Sequence, residues 1–225
     1  TSIFGPETNM TDNPCRVTQR HYDYVAQRTR GDDDFLKSLK AEAEKAGIPK
    51  IWISPAQASL MQILLKLRGA KRVIEVGTLA GYSAIQMARA LPADGLVTTI
   101  ELEPKHADFA EAWVAKSDVK GKVKVLRGKG ADVLKGLPAQ SADACFLDAD
   151  KENYPVYLEH AARICGKGGL VMADNAFAFG QLFADVPDES GVHAVRRFND
   201  VMAARKDIHG VIAPIGDGCW VGVIE

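Results

Sequence analysis

The sequence lacks any charge imbalance: 28 Lys and Arg against 29 Asp and Glu leave a formal net charge of −1, and the pI is near 6.5. That balance provides no long-range field to draw in nucleic acid or an anionic membrane surface. Long apolar runs are missing too. None approaches the roughly 20 residues that a membrane-spanning helix needs, and the opening "TSIFGPETNMTDNPCR" has no apolar core of a signal peptide. The four cysteines, Cys15, Cys145, Cys165 and Cys219, are widely separated, show no C-x-x-C spacing, and two of them lie in apolar runs, where cysteine behaves as a small hydrophobe. A reduced, cytoplasmic protein is expected. No repeat, low-complexity tract or Pro/Ser-rich linker divides the chain, so a single domain over residues 1–225 is the expectation. At 47% hydrophobic and 25% charged, that length is enough for one large core.

The first 70 residues read as helices packed on that core. "RVTQRHYDYVAQRT" and "DDFLKSLKAEAEKAG" place apolar residues at three- and four-residue intervals, and Gly47 and Pro49 stop the second. "SPAQASLMQILLKLRG" offers Ser54 as N-cap, Pro55 at the first helical position and Gly69 just past the end. The rhythm then changes. Short β-rich runs at 72–76, 95–101, 122–126, 142–148 and 169–174 alternate with helical stretches of about a dozen residues. This predicts an α/β fold, a Rossmann-like, doubly wound, mostly parallel sheet with helices on both faces. The closing "HGVIAPIGDGCWVGVIE" predicts an antiparallel hairpin turning at Gly216-Asp217-Gly218.

Ligands of such sheets bind beyond the carboxyl ends of the strands. At the first strand end, "IEVGTLAGYSA" removes side chains at Gly77 and Gly81, so a ligand can approach the backbone and the start of the next helix. The G-x-x-x-G spacing differs from the G-x-G-x-x-G of dinucleotide sites. Glu75, ahead of the glycines, would repel a pyrophosphate but could hold an ammonium, which suits a zwitterionic amino-acid moiety; the plain alternative is a tight turn. Glu101, about 20 residues downstream, ends the second strand where an acid accepts from ribose hydroxyls. Glu103 is its rival, or a solvated helix-cap acid. At the third strand end Gly128 and Gly130 are small enough to pass beside an adenine ring. Asp148 ends the fourth strand and Asp174 the fifth. If those strands are neighbours, Asp148, Asp174 and Asn175 converge as three hard oxygen donors suited to Mg²⁺ or Ca²⁺; separately, each aspartate would serve as a helix or loop cap. Lys151, three residues after Asp148, would point into the same cleft as a general base, or stand solvated.

These residues carry a resemblance that covers nearly the whole chain. "EVGTLAGYS", "DADKENY", the "DN" pair at 174–175 and the ending "PIGDG" together resemble the metal-dependent S-adenosylmethionine O-methyltransferases of the caffeoyl-CoA and catechol O-methyltransferase family. The resemblance implies S-adenosylmethionine as methyl donor, with Glu75, Gly77, Ser83 and Glu101 around it and Ile53, Gly130, Asp148 and Asp150 as further neighbours. It implies Asp148, Asp174 and Asn175 as ligands of a divalent cation, Mg²⁺ ahead of Ca²⁺ or Mn²⁺, and Lys151 as the catalytic base. A homodimer acting on a small catechol-like acceptor is the corresponding expectation. The chain also departs from the family. Gln57 and Ala58 stand where an acid and a glycine are common, and Phe177 and Ala178 where Leu-Trp is common. Phe177, Phe179 and Phe183 could therefore stack on an aromatic acceptor or anchor their loop. The alternatives are methylation of a hydroxylated wobble base in tRNA, supported by a basic face from Lys116, Lys120, Lys122, Lys124 and Arg127, an NAD-dependent oxidoreductase, and a non-catalytic nucleoside-cofactor-binding protein.

Overall fold

A computed structural model describes residues 17–187 and 191–225; Cys15 and Arg16, the first residue of the expected opening helix, lie outside them. Five parallel strands form the centre of the sheet: β1 (Arg72–Val76), β2 (Leu96–Glu101), β3 (Val123–Arg127), β4 (Ala144–Leu147) and β5 (Leu170–Ala173). The terminal hairpin, β6 (Ile208–Ala213) and β7 (Cys219–Ile224), adds two more, with β7 antiparallel to β5. The order is β3-β2-β1-β4-β5-β7-β6, so the direction of winding reverses between β1 and β4. That reversal opens the crevice in which ligands of doubly wound sheets sit.

Alternation along the strands explains why both faces are covered. Val73, Val97, Ala144, Phe146, Leu170 and Met172 join one buried cluster, while Ile74, Val76, Ile100, Cys145, Leu147 and Val171 join the other. Period-two patterning with apolar residues at both parities requires helices on both sides. The first face is covered by α2 (Asp34–Lys45), α3 (Pro55–Arg68), α4 (Tyr82–Ala90) and α5 (Pro104–Lys116), through side chains such as Leu39, Met61, Ile85 and Val114. The second is covered by α6 (Gly130–Gly136), α7 (Tyr154–Cys165) and α8 (Val192–Ala204), through Leu134, Leu158 and Phe198. Cys145, Cys165 and Cys219 are buried free thiols packed among these apolar side chains.

The punctuation expected for α3 is present. Ser54 Oγ accepts from the Gln57 amide at 3.1 Å, Pro55 opens the helix and Gly69 closes it at φ 66°. By contrast α1 (Gln19–Arg28) buries none of its side chains. The fourth and fifth strands are shorter than expected, ending at Leu147 and Ala173. Asp148 and Asp174 therefore stand one step beyond the last paired residues instead of ending the strands.

Candidate active site

The turn after β1 is built by two glycines and one carboxylate. Gly77 at φ 99° and Gly81 at φ 83° take the left-handed backbone that side chains avoid. A Cβ on Gly77 would run into the Asp148 carbonyl, so only glycine lets β1 and β4 leave the sheet this close together. Glu101 holds the turn: Oε2 accepts from the Thr78 and Leu79 amides at 3.1 and 2.8 Å, and Oε1 accepts from the Glu103 amide at 2.8 Å. Three of a carboxylate's roughly four acceptor positions are thereby used, leaving one for a ligand hydroxyl. Glu103 is the N-cap residue of α5 with an exposed side chain. Gly77, Glu101, Leu102, Gly128, Gly130 and Tyr157 line a cavity of about 640 Å³ beside the turn. Gly130 is packed tightly under it, since a Cβ there would press on Val76 and the Tyr157 ring.

Glu75 is the unsatisfied group of this region. It is fully buried, and its two carboxylate oxygens are the buried side-chain polar atoms without a hydrogen-bond partner among the described residues. Burial pushes its pKa up to about 8; the Ser83 and Thr99 hydroxyls, near but not placed for a full hydrogen bond, oppose the rise, and the Asp148 and Glu101 charges add to it. A buried carboxyl with no partner is costly unless something else meets it.

A second cavity, of about 760 Å³, lies against the ends of β4 and β5. Ile51, Ala149 and Asp150 line both cavities, so the two meet there. Asp148, Asp174, Asn175, Lys151 and Ile53 all border the larger one. Asp174 is buried, and its Oδ1 accepts from Gln57 Nε2 at 2.7 Å. Burial first, and the Asp148 charge second, raise its pKa to about 7. Asn175 Nδ2 donates to Asp217 Oδ2 at 3.1 Å, and its carbonyl oxygen has no hydrogen-bond partner among the described residues. No cluster of three or more His, Cys, Asp and Glu side chains gathers at one point among the described residues. The hard-donor set here is two carboxylates and one amide.

Lys151 is buried instead of solvated. Its Nζ lies 3.2 Å from Asp148 Oδ1 and 2.6 Å from the Tyr154 hydroxyl, which itself donates to the Leu147 carbonyl at 3.1 Å. Because the tyrosine proton is committed to that carbonyl, Lys151 must be the donor in both of its own contacts. Asp150 faces both cavities and is held by the Tyr157 hydroxyl at 2.5 Å and by Asn153.

The sequence-predicted residues thus divide between two touching cavities. Gly77, Glu101 and Gly130 border the one beside the turn, and Asp148, Asp174, Asn175, Lys151 and Ile53 the acidic one. Glu75 and Ser83 lie beneath the turn, bordering neither. The three phenylalanines separate: Phe179 lines the acidic cavity, Phe177 packs its ring against Gly218, and Phe183 is exposed to solvent. Of the basic face, Arg127 is paired with Asp108 and Glu111, and Lys122 with the Leu91 carbonyl. Sequence reasoning missed Gln57 on Asp174, Tyr154 on Lys151 and Asp217 on Asn175. Tyr154 could have been found at the end of "DADKENY", one turn from the lysine. Gln57 and Asp217 carried no local signal, being joined to their partners across 117 and 42 residues.

Comparison with known proteins agrees with this geometry. A family model described as O-methyltransferase matches residues 26–223. A catechol O-methyltransferase of Niastella koreensis is 36% identical over 192 residues, covering 84% of this chain and 87% of the relative. A catechol O-methyltransferase of Mycobacterium tuberculosis is 34% identical over 193 residues, covering 85% of this chain and 87% of its own. Among solved structures, the O-methyltransferase of Bacillus cereus in complex with SAH superposes with a TM-score of 0.81 at 29% identity, covering 92% of this chain and 97% of that one.

Proposed function

The chain belongs to this family of S-adenosylmethionine-dependent O-methyltransferases, and on that premise we propose that it methylates one hydroxyl of a small aromatic acceptor bearing two adjacent hydroxyls, assisted by a divalent cation. The observation that carries the reading is the meeting of two cavities, one beside a glycine turn under which the partnerless Glu75 is buried and the other bordered by Asp148, Asp174, Asn175 and Lys151. When bound, the donor supplies a sulfonium methyl, and the cation, Mg²⁺ ahead of Ca²⁺ or Mn²⁺, supplies positive charge against a developing phenolate.

The protein's own residues do the rest. Glu75 meets the donor's ammonium, which provides the partner its buried oxygens lack. Glu101 uses its remaining acceptor position on a ribose hydroxyl, and Gly77 lets the donor's amino-acid end lie against bare backbone. Asp148, Asp174 and the carbonyl of Asn175 are the cation's ligands; a dication would offset the burial and the Asp148 charge that together raise Asp174. Lys151 accepts the acceptor's hydroxyl proton. As a neutral amine it keeps both its bonds, to Asp148 and Tyr154, and still has a lone pair for that proton. The oxygen then bonds the methyl carbon as the carbon–sulfur bond breaks, with donor and acceptor held in line where the cavities join.

The test is a methyl-transfer screen of catechols, caffeoyl thioesters, flavonoids and undermodified tRNA, run with Mg²⁺ and after exhaustive chelation. Methylation of the vicinal dihydroxy aromatics, lost on chelation, is expected. Turnover that survives chelation would remove the cation from the reading, and methylation of tRNA alone would replace the acceptor.

A further inference from the structure

We propose that Asp217, in the β6–β7 turn, is a positioning residue for the acceptor side of the site: it sets both the orientation of Asn175 and the wall of the cavity formed by Phe179. The consequence for catalysis rests on the reading above; the structural part does not. One carboxylate gathers three donors from the segment after β5. Oδ2 accepts from the Phe179 amide at 2.7 Å and from Asn175 Nδ2 at 3.1 Å, and Oδ1 accepts from the Gly180 amide at 3.1 Å. The backbone of the same turn adds two more contacts, the Phe177 amide on the Asp217 carbonyl and the Ala176 amide on the Gly218 carbonyl, each at 2.8 Å.

The segment needs such a clasp. Asn175, Ala178 and Phe179 all lie at positive φ, 65°, 55° and 59°, in the left-handed region that residues with side chains ordinarily avoid. Strained conformations of this kind persist only where surrounding contacts over-determine them. The Phe179 and Gly180 amides both find their acceptor in the Asp217 carboxylate, which supplies the determination. It also decides what Asn175 offers the cavity. An asparagine amide can turn either end to a ligand, and with Nδ2 committed to Asp217 the carbonyl oxygen is the end left over. A residue 42 positions away thereby selects the hard oxygen donor over the amide donor at the cavity wall.

Asp217→Ala and the milder Asp217→Asn test this. Hydrogen–deuterium exchange of segment 176–187 needs neither acceptor nor cation. It should quicken on the order of tenfold in the alanine variant and by less in the asparagine variant, which keeps one acceptor oxygen, while β1 and β2 stay unchanged. Calorimetric binding of S-adenosylhomocysteine should stay within about twofold of wild type. Mg²⁺ affinity should fall and acceptor KM rise, each on the order of tenfold, with a smaller change in kcat. Unchanged exchange in 176–187 would overturn the proposal. So would a parallel loss of S-adenosylhomocysteine binding with faster exchange through the core in the asparagine variant, which would make Asp217 a general stabiliser. If wild type itself methylates no vicinal dihydroxy aromatic and binds no cation, the proposed function fails, and the exchange measurement still decides the role of Asp217.

Discussion

The turn after β1 and the segment after β5 both lie beyond the carboxyl ends of parallel strands, yet they are held in opposite ways. The β1 turn uses glycine at two of its left-handed positions and draws its clamp, Glu101, from the end of the neighbouring strand. The segment after β5 puts Asn175, Ala178 and Phe179 in the left-handed region and draws its clamp from a hairpin turn far along the chain. The first arrangement is the cheaper, because only Leu79 of its three left-handed residues carries a side chain and glycine at the other two avoids the steric cost. The second is costly and depends on a distant partner. The turn after β1 is therefore held by its neighbours within the sheet, and the segment after β5 by a residue from a distant part of the chain.

The sharpest way to separate the two sides is to remove Asp174. Asp174→Ala deletes one of the two carboxylates proposed to hold the cation and leaves Glu101 and Gly77 untouched. A lost cation site removes several kcal/mol of charge stabilisation, so turnover should fall on the order of 10³-fold or more. Binding of S-adenosylhomocysteine, measured by calorimetry, should change little. Equal losses of both would join the two sides into one unit and break the comparison.

Lys151→Ala should have the next largest effect, lowering kcat by roughly 10²- to 10⁴-fold with a smaller change in acceptor KM. Raising the pH should recover part of the loss, since prior ionisation of the acceptor replaces the missing proton acceptor. A variant with wild-type kcat and an unchanged pH profile would leave the acid–base work to the cation alone.

What could be read from the sequence follows the same division. Strand and helix alternation, the Ser54 cap and the Gly77–Gly81 turn depend on short-range patterns, and all are present in the fold; the adjacency of β4 and β5, only a condition in the sequence, is given by their pairing. The acid at 101 was legible as a strand-end acceptor, but its three backbone bonds were not, because they depend on how tightly the β1 turn folds back over β2. Gln57 reads as a departure from the family at the first turn of α3. Its contact with Asp174 exists only because α3 packs across the ends of the central strands. The phenylalanines could not be told apart, since stacking wall, loop anchor and solvated ring share one residue type and differ only in the backbone conformation that Asp217 imposes.

A smaller effect concerns charge beneath the donor turn. The pKa of Glu75 is raised from 4.5 to about 8 in the folded protein, so the native state binds a proton over a range in which the unfolded chain has lost it. The associated stability is fully present below about pH 4.5 and is lost as pH rises through about 8. Asp174, raised to about 7, acts with the same sign, so ligand-free protein should lose thermal stability across this window. Glu75→Gln should flatten part of that slope, leaving the part due to Asp174. An ammonium favours the charged carboxylate, so the stabilisation conferred by S-adenosylhomocysteine should be larger at pH 8 than at pH 5.5 in wild type and lose that pH dependence in the variant. Identical slopes with and without Glu75 would remove it from the ammonium role.

The smallest expected effect separates Phe179 from Phe183. Both follow the β5 end in the same segment, but Phe179 lines the acidic cavity at 42% exposure, whereas Phe183 is 92% exposed and borders neither cavity. Phe179→Ala should raise acceptor KM about fivefold, corresponding to roughly 1 kcal/mol of lost aromatic contact, with kcat nearly unchanged. Alanine is the informative replacement there, because glycine would also relieve the strain at φ 59° and so mix two effects. Phe183→Ala should leave both constants within about twofold, as surface substitutions do. A KM increase in Phe183→Ala equal to that in Phe179→Ala would mean that the segment closes over the acceptor and brings the outer ring inward. The wall clasped by Asp217 would then be a moving cover, and the contrast between a turn held within the sheet and a segment held from a distant part of the chain would fail at its second half.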